Sequence, residues 1–343
     1  MTMPDPSPLW ISEADVVSLM NMQEAIAALE KGLLAEAHGD AQNMVKTHVA
    51  WGDGATLHAI GAVFPQAGFA GTKTWAHTPG GATPLLILCD SNNGSLKAII
   101  EAFALGQMRT AGASGVATQW LAAADADEFA MIGTGKQAMA QVAAVLAVRP
   151  IRRIRAFSRN EDRRKQFVER VKTEFGVEAV AAASVREAVQ GAAIISVATR
   201  ATEPILGADM IERSAHINSV GAIVPSRAEV AADVIARSTQ IVTDSIPQAR
   251  QLSRELIEFF GANPEKWSSV RSLASLVASR RPRLPKDDLT LFKSLGMGIS
   301  DLSLGIELYR KAVDSGTGRR FPHPLKVALR LRPSEPARSL AGG

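Results

Sequence analysis

At 343 residues the chain exceeds what one hydrophobic core ordinarily serves, so two domains are expected. Hydrophobic residues at 46% and charged residues at 21% are the balance of a soluble globular protein, not of a disordered or membrane-embedded one. The net charge of +4 comes partly from scattered clusters such as Arg152-Arg153 and Arg163-Arg164-Lys165. These clusters lack interleaved aromatics or a nucleic-acid motif, so no nucleic-acid partner is expected, only some attraction for anionic small molecules.

The single cysteine, Cys89, rules out an internal disulfide and suits a reducing compartment. The N-terminus has neither a basic n-region nor an apolar h-region, and no uninterrupted apolar run reaches membrane-spanning length. A cytoplasmic protein without a membrane partner is expected.

In chain order, residues 13–37 carry the spacing of one or two amphipathic helices. From 45 to 100 the character changes to short strands, at 46–51, 56–62, 71–75, 85–89 and 96–100. Asp53-Gly54 and Asn92-Asn93-Gly94 supply hairpin turns between them. Such a meander needs its apolar face covered, by helices or by a second subunit. A helix is expected over 105–122.

From 128 to about 244 strands and helices alternate, the pattern of a doubly wound parallel sheet. The strands are expected at 129–132, 151–157, 179–182, 193–198, 216–220 and 241–243. The helices fall at stretches such as 161–175, taken as exposed around Lys165 and Phe167, and 184–189. Beyond come helices at 247–260 and 299–313 and a further segment at 324–331. Residues 332–343, rich in Pro, Ser, Arg and Gly, are expected to be disordered.

The most informative stretch is Phe129-Ala-Met-Ile-Gly-Thr-Gly-Lys-Gln-Ala138, in which an apolar strand ends in G-x-G-x-x-A and runs into a helix. That is the setting in which a glycine-rich turn holds a dinucleotide pyrophosphate. Gly133 permits the tight turn, Gly135 lets the backbone approach the phosphates, and the helix start presents free N–H groups to them. The flanking Lys136 and Gln137 join this cofactor set. At the end of the next strand an acid would select the ribose hydroxyls of NAD; this chain has Ser158-Arg159, followed by Asn160. A hydroxyl and a guanidinium suit a 2′-phosphate, so NADPH is the expected cofactor, with NADH second. Thr199, ending the fourth strand of this region, is expected near the adenosine ribose and pyrophosphate.

Five segments in order resemble the ornithine cyclodeaminase / mu-crystallin family: Gly71-Thr-Lys-Thr-Trp75, Arg109-Thr-Ala-Gly-Ala-Ser114, Ile132-Gly-Thr-Gly-Lys-Gln137, Ile217-Asn-Ser-Val-Gly-Ala222 and Phe292-Lys-Ser-Leu-Gly-Met-Gly298. The resemblance implies a homodimer with two unlike parts. Residues 114–305 would form a Rossmann-type domain. Residues 1–113 with 306–343 would form a discontinuous α+β domain for substrate binding and dimerisation.

The resemblance also implies a small imino or amino acid substrate in a pocket against the nicotinamide. Lys73 and Arg109 fall on the family's substrate-carboxylate cations, with catalytic importance, and Lys46 takes the place of an earlier arginine. A buried carboxylate demands such cations. Arg109 and Thr110 would also touch the cofactor, as would Val220 after the fifth strand and Ser294 beside the nicotinamide. For Arg109 the structural alternative is a pair with Glu101; for Ser294, capping of the following helix. Asp301 is expected to fix that helix rather than perform chemistry.

One departure bears on the reaction. Cyclodeaminases and alanine dehydrogenases of the family carry an aspartate for acid–base work where this chain has Ile223, in Val220-Gly-Ala-Ile223. Loss of general acid–base help costs typically 10²- to 10⁴-fold. The mu-crystallin and ketimine-reductase branch lacks that aspartate too, so the implied reaction is NADPH-dependent reduction of the C=N bond of a cyclic imino acid, such as Δ1-pyrroline-2-carboxylate or Δ1-piperideine-2-carboxylate. The alternatives are an ornithine cyclodeaminase or amino-acid dehydrogenase with another proton donor, and a non-catalytic NADPH and small-ligand binder. His58 and His77 are the best candidates for a replacement acid. His48, His58 and His77 have no metal-ligand spacing, and no metal is expected. Trp51 and Trp75 suit a core, an interface or the pocket.

Overall fold

The computed structural model describes residues 7–331 except Arg213. The first strands are β1 (Leu9–Ile11), β2 (Gln42–Asn43), β3 (Thr47–Trp51), β4 (Ala55–Phe64), β5 (Phe69–Thr78), β6 (Gly81–Ala82), β7 (Leu85–Asp90) and β8 (Leu96–Glu101). The next are β9 (Glu128–Ile132), β10 (Arg153–Phe157), β11 (Glu178–Ala181), β12 (Ile194–Val197), β13 (His216–Ser219), β14 (Ser238–Thr243), β15 (Val270–Ser272) and β16 (Leu289–Lys293); β17 (Arg319–Arg320) closes the series.

Two sheets result. In the first the order is β17-β1-β8-β7-β5-β4-β2, with β3 also on β4 and β6 also on β5. Its pairs are antiparallel apart from β1 with β8. The meander read from the turn residues is present, with most strands a residue or more longer than expected. The second sheet is parallel throughout, in the order β11-β10-β9-β12-β13-β16-β14-β15. Its first five strands follow the Rossmann order, so the topological switch point lies between β9 and β12. The fold is α/β: a Rossmann-type doubly wound domain joined to a discontinuous α+β part.

Burial follows the sheet types. In β9 successive residues go to opposite faces: Phe129 and Met131 pack into one apolar cluster, Ala130 and Ile132 into another. A strand covered on both faces has no polar side to present, which is why it reads as a continuous apolar run. A third cluster joins the inner face of the antiparallel sheet to the helices Met22–His38, Phe103–Leu121 and Gly298–Ser315. The expected divisions at 113/114 and 305/306 fall inside the last two of these helices.

Several expectations need correction. The helix read over 247–260 is two, Ile246–Leu252 and Arg254–Phe260, because Ser253 caps the second with its side chain. Phe167 is buried rather than exposed, on the apolar stripe it shares with Val168 and Val171. Strand β16, central between β13 and β14, was not anticipated as a strand, nor were β1 and β15. Residues 324–331 form no regular element, and 332–343 lie outside the described residues. No helix among the described residues is long and apolar enough to cross a membrane.

On the outer face of the antiparallel sheet, Val63, Ala70, Ile87 and Cys89 share one side by register. With Met44 they line an apolar hollow of about 380 Å³.

Candidate functional site

The glycine turn sits at the switch point. Gly133 ends β9 with φ +99°, and its N–H donates to Phe157 O at 2.8 Å. A Cβ there would lie 2.4 Å from Ala198 O at the end of β12, so only glycine fits between the two strand ends. The helix opens not at Gly133 but at Ala138. A Cβ on Gly135 would meet nothing within 4 Å, so the space over that peptide is open. Gln137 stands at the helix N-cap with a buried, unpartnered Oε1. The open cradle and the helix start fit a dinucleotide phosphate, and the Gln137 amide oxygen suits a donor such as a ribose hydroxyl.

The other cofactor residues are less uniform. Ser158 accepts from Thr134 Oγ1 at 2.9 Å, while Arg159 is exposed at the end of β10. Asn160 caps the helix Glu161–Phe175 with its side chain. Lys136 lies exposed over the Phe103 ring. Thr110 donates its hydroxyl to Gly106 O within its own helix. Val220, just past β13, donates its N–H to Val197 O.

Thr199 is tied to a residue the sequence did not single out. Glu229, fully buried, accepts from Thr199 N at 2.6 Å and Thr199 Oγ1 at 2.9 Å on Oε1. Its Oε2 accepts from Ser219 Oγ, Gly221 N and Ala222 N. One carboxylate therefore holds the loops after β12 and β13 together. Ile223 follows directly and packs against the apolar cluster of the parallel sheet.

The second constellation gathers the three expected cations. Lys73, in the middle of β5, is buried with Ile60 and Leu86 beside it in register. Its Nζ donates to Asp301 Oδ1 at 2.5 Å. Arg109, in the second turn of the helix Phe103–Leu121, brings Nε to 3.4 Å from the same oxygen. Glu101, the partner weighed for Arg109, instead accepts from Trp10 Nε1 and Glu13 N. Asp301 is thus the counter-ion of two of the three cations. It is fully buried, and its Oδ2 has no partner.

Lys46, half-buried between β2 and β3, belongs to the same group. Burial and then the Arg109 charge lower its pKa, while Asp244 and Asp301 pull the other way. Burial is also the leading cause that brings Lys73 down to about 8, against the raising effect of Asp301.

Ser294 does not cap the long helix, whose N-cap is Met297 without a side-chain bond. It donates to Asp244 Oδ2, and Asp244 also accepts from Leu295 N and Gly296 N. This carboxylate shapes the turn around Gly296, at φ +82°, over which the Arg109 guanidinium lies; a Cβ on Gly296 would be 2.4 Å from Nη1.

Trp75, two residues beyond Lys73 on the same face, stacks on His58 with ring centres 4.7 Å apart, and His48 stacks on His58 in turn. His58 is pushed down to about 4 by burial and then by Lys46, so its ring is neutral at physiological pH. Among the described residues no group of three or more His, Cys, Asp or Glu side chains is placed to hold a metal.

A glycine turn at the switch point of a parallel sheet, beside a buried cluster of Lys73, Arg109 and Asp301 with Lys46 next to it, defines a Rossmann-type dinucleotide-binding protein. The chain belongs to the ornithine cyclodeaminase/mu-crystallin family, whose model matches residues 8–316.

It is 29% identical over 330 residues to the Δ1-pyrroline-2-carboxylate reductase of Bacillus cereus, spanning 91% of this chain and 99% of that one. Among solved structures it resembles Δ1-pyrroline-2-carboxylate reductase of Thermococcus litoralis in complex with NADH and L-proline. The TM-score there is 0.85 and the identity 28%, over 91% of this chain and 100% of that one. An archaeal alanine dehydrogenase dimer with bound NAD is similar at a TM-score of 0.84 and 26% identity, over 92% of this chain and 99% of that one.

Proposed function

We propose that this protein is an NADPH-dependent reductase of cyclic imino acids, converting a substrate of the Δ1-pyrroline-2-carboxylate or Δ1-piperideine-2-carboxylate type to the cyclic amino acid. The observation that carries this reading is the group Lys46, Lys73 and Arg109 around Asp301, in a chain similar along nearly its whole length to reductases of this kind. A buried substrate carboxylate requires such cations, and Lys46, Lys73 and Arg109 supply them.

With its pyrophosphate on the glycine turn, the reduced cofactor would supply a hydride to the C=N carbon. The protein's own part is to hold the ring. Lys73 and Arg109 clamp the carboxylate, and the neutral His58–Trp75 stack offers a flat wall beside them. Ile223 contributes an apolar side chain that excludes water and protects the iminium from hydrolysis. Residues 1–113 with 306–343 are assigned to substrate binding and dimerisation, and 114–305 to the dinucleotide. A homodimer would cover the apolar hollow on the outer sheet face.

A substrate panel tests the function. NADPH oxidation with either imino acid is the expected result; ammonia release from ornithine would favour cyclodeamination instead, and pyruvate with ammonia would favour the alanine dehydrogenase reaction. Turnover of none would leave a ligand-binding protein.

Cofactor preference rests on Ser158 and Arg159. Fluorescence titration should give tighter binding of NADPH than of NADH. Arg159→Ala should weaken NADPH by roughly tenfold, the worth of one exposed charge-assisted contact, and leave NADH almost unchanged. An unaltered ratio would refute the assignment. Ile223→Asp should reduce imine turnover by about an order of magnitude or more, because it places a desolvated carboxylate beside the substrate. A trace of dehydrogenase or cyclodeaminase activity in that variant would be measured in the same panel.

A further inference from the structure

We propose that His58 is a specificity residue for the substrate ring, and that the preferred imino acid carries a hydroxyl group on a ring carbon remote from its carboxylate. This rests on the reductase reading above and narrows its substrate class.

The antiparallel sheet arranges this face of the pocket in rungs. Lys73 on β5 lies opposite Ile60 on β4. On the next rung outward Trp75 lies opposite His58, and His58 lies opposite His48 on β3. His58 is therefore a diagonal neighbour of Lys73, a spacing of about 7–8 Å in an antiparallel pair. A ring whose carboxylate is held by Lys73 and Arg109 bridges that distance with its far carbons. Lys46 is the charge that acts most strongly on His58, which places the imidazole on the side of the cations.

One nitrogen of His58 is engaged and the other is not. Nε2 pairs with Thr56 Oγ1 at 2.8 Å, on the rung beyond. Nδ1 is buried and has no hydrogen-bond partner among the described residues. The ring is stacked between Trp75, at 4.7 Å, and His48, at 5.6 Å, so it is not free to turn toward another partner. A buried polar atom left unpaired is costly, and a ligand group that pairs with it recovers the cost.

The chemistry of that atom selects the group. The Thr56 hydroxyl can donate to Nε2 or accept from it, so Nδ1 is a donor in one tautomer and an acceptor in the other. A hydroxyl on the substrate can meet either. An ammonium there would face Lys46. A second carboxylate calls for a charged partner, whereas burial and then Lys46 bring His58 down to about 4 and leave it neutral. His77, opposite Thr56 on the rung beyond, is exposed and offers no buried atom of this kind. A site that hydrogen-bonds a substrate hydroxyl also rejects the analogue lacking it, which an apolar wall cannot do as sharply.

The test is calorimetric titration of the NADP+ complex with L-proline, cis-4-hydroxy-L-proline and trans-4-hydroxy-L-proline, the reduced forms of plain and hydroxylated rings. Wild type, His58→Phe and Thr56→Val are compared, with NADP+ affinity as the check on folding. Reduction of Δ1-pyrroline-2-carboxylate and Δ1-piperideine-2-carboxylate is measured alongside. In wild type one hydroxyproline epimer should bind about tenfold tighter than L-proline, the effect of one buried hydrogen bond.

His58→Phe keeps a flat ring in the stack but removes both nitrogens. It should abolish the preference for the hydroxyl while leaving L-proline affinity within about threefold, since the carboxylate cations are untouched. Thr56→Val releases the bond that fixes the imidazole and should shrink the preference without changing the affinity for L-proline.

Equal binding of L-proline and both hydroxyprolines by wild type, or a preference that persists in His58→Phe, would overturn the proposal while leaving the reductase reading intact. If His58→Phe fails to bind NADP+, an undiminished preference in Thr56→Val overturns it equally. Failure of the wild type to reduce either imino acid would overturn the reductase reading itself, on which the calorimetry does not depend.

Discussion

Lys73→Ala and Arg109→Ala are each expected to lower kcat/KM for an imino acid by two orders of magnitude or more; NADPH affinity should stay within about threefold in Lys73→Ala and fall somewhat further in Arg109→Ala, whose side chain is also assigned to the cofactor. A charge-assisted bond to a buried carboxylate is worth roughly 2–5 kcal/mol when one partner is truncated, and every 1.4 kcal/mol is tenfold. The glycine turn that would hold the dinucleotide is formed by other residues, from Gly133 to Gln137, so cofactor binding should survive.

The two variants should differ in stability. Asp301 is fully buried, and Lys73 is its nearer partner. Removal of Lys73 leaves that carboxylate to Arg109 alone, a loss of the kind that costs about 3–5 kcal/mol for a broken buried pair. Arg109 sits farther from Asp301 and is partly exposed, so its loss should cost less. The double variant Lys73→Met with Asp301→Leu should recover stability without recovering activity, which separates the structural role of the pair from its role toward substrate. Near-normal KM values in both alanine variants would end the carboxylate-clamp assignment.

How much of this was legible in the sequence depended on the range of the interaction concerned. The glycine turn, the antiparallel meander and the parallel alternation were readable because each is written locally, in turn residues and in hydrophobic period. Strand β16 was not, although it lies in the middle of the parallel sheet. Its short apolar run Leu289-Thr-Leu-Phe carries no helix or strand period of its own, and its position between β13 and β14 is set by a chain reversal that no local signal encodes.

The site divides in the same way. Lys73 and Arg109 came from motifs, but their shared partner Asp301 was assigned to holding its helix, because nothing in Gly298-Ile-Ser-Asp301 says that this turn packs against β5. Asp244, which shapes the turn under Arg109, and Glu229, which ties two loops, make contacts across 50 and 30 positions of sequence, beyond the reach of any periodicity argument.

Glu229→Ala should be among the most damaging single substitutions in the nucleotide-binding half. The carboxylate is fully buried and receives three backbone N–H groups, Thr199, Gly221 and Ala222, together with the hydroxyls of Thr199 and Ser219. Each backbone donor left buried without a partner costs about 1–3 kcal/mol. Even at the lower end of that range the three together remove about 3–4 kcal/mol, equivalent to a fall of roughly 10 °C in Tm.

The functional effect follows from what the loops carry. Thr199 lies against Gly133, its Cγ2 some 3.1 Å from where a Cβ on that glycine would stand, and Ile223 follows directly on Ala222. Loosening both loops should weaken NADPH binding by an order of magnitude or more and raise KM for the imino acid, because Glu229 acts through the loops it ties.

Glu229→Gln is the sharper probe. An amide has one acceptor oxygen, so whichever way it turns, its NH2 faces donors: Thr199 N on one side, or Gly221 N and Ala222 N on the other. That variant should fold, with a smaller loss in Tm, yet still lose dinucleotide affinity. Thermal unfolding with and without NADPH reads both quantities at once. A Gln variant with wild-type Tm and wild-type NADPH affinity would show that this carboxylate does not hold the two loops.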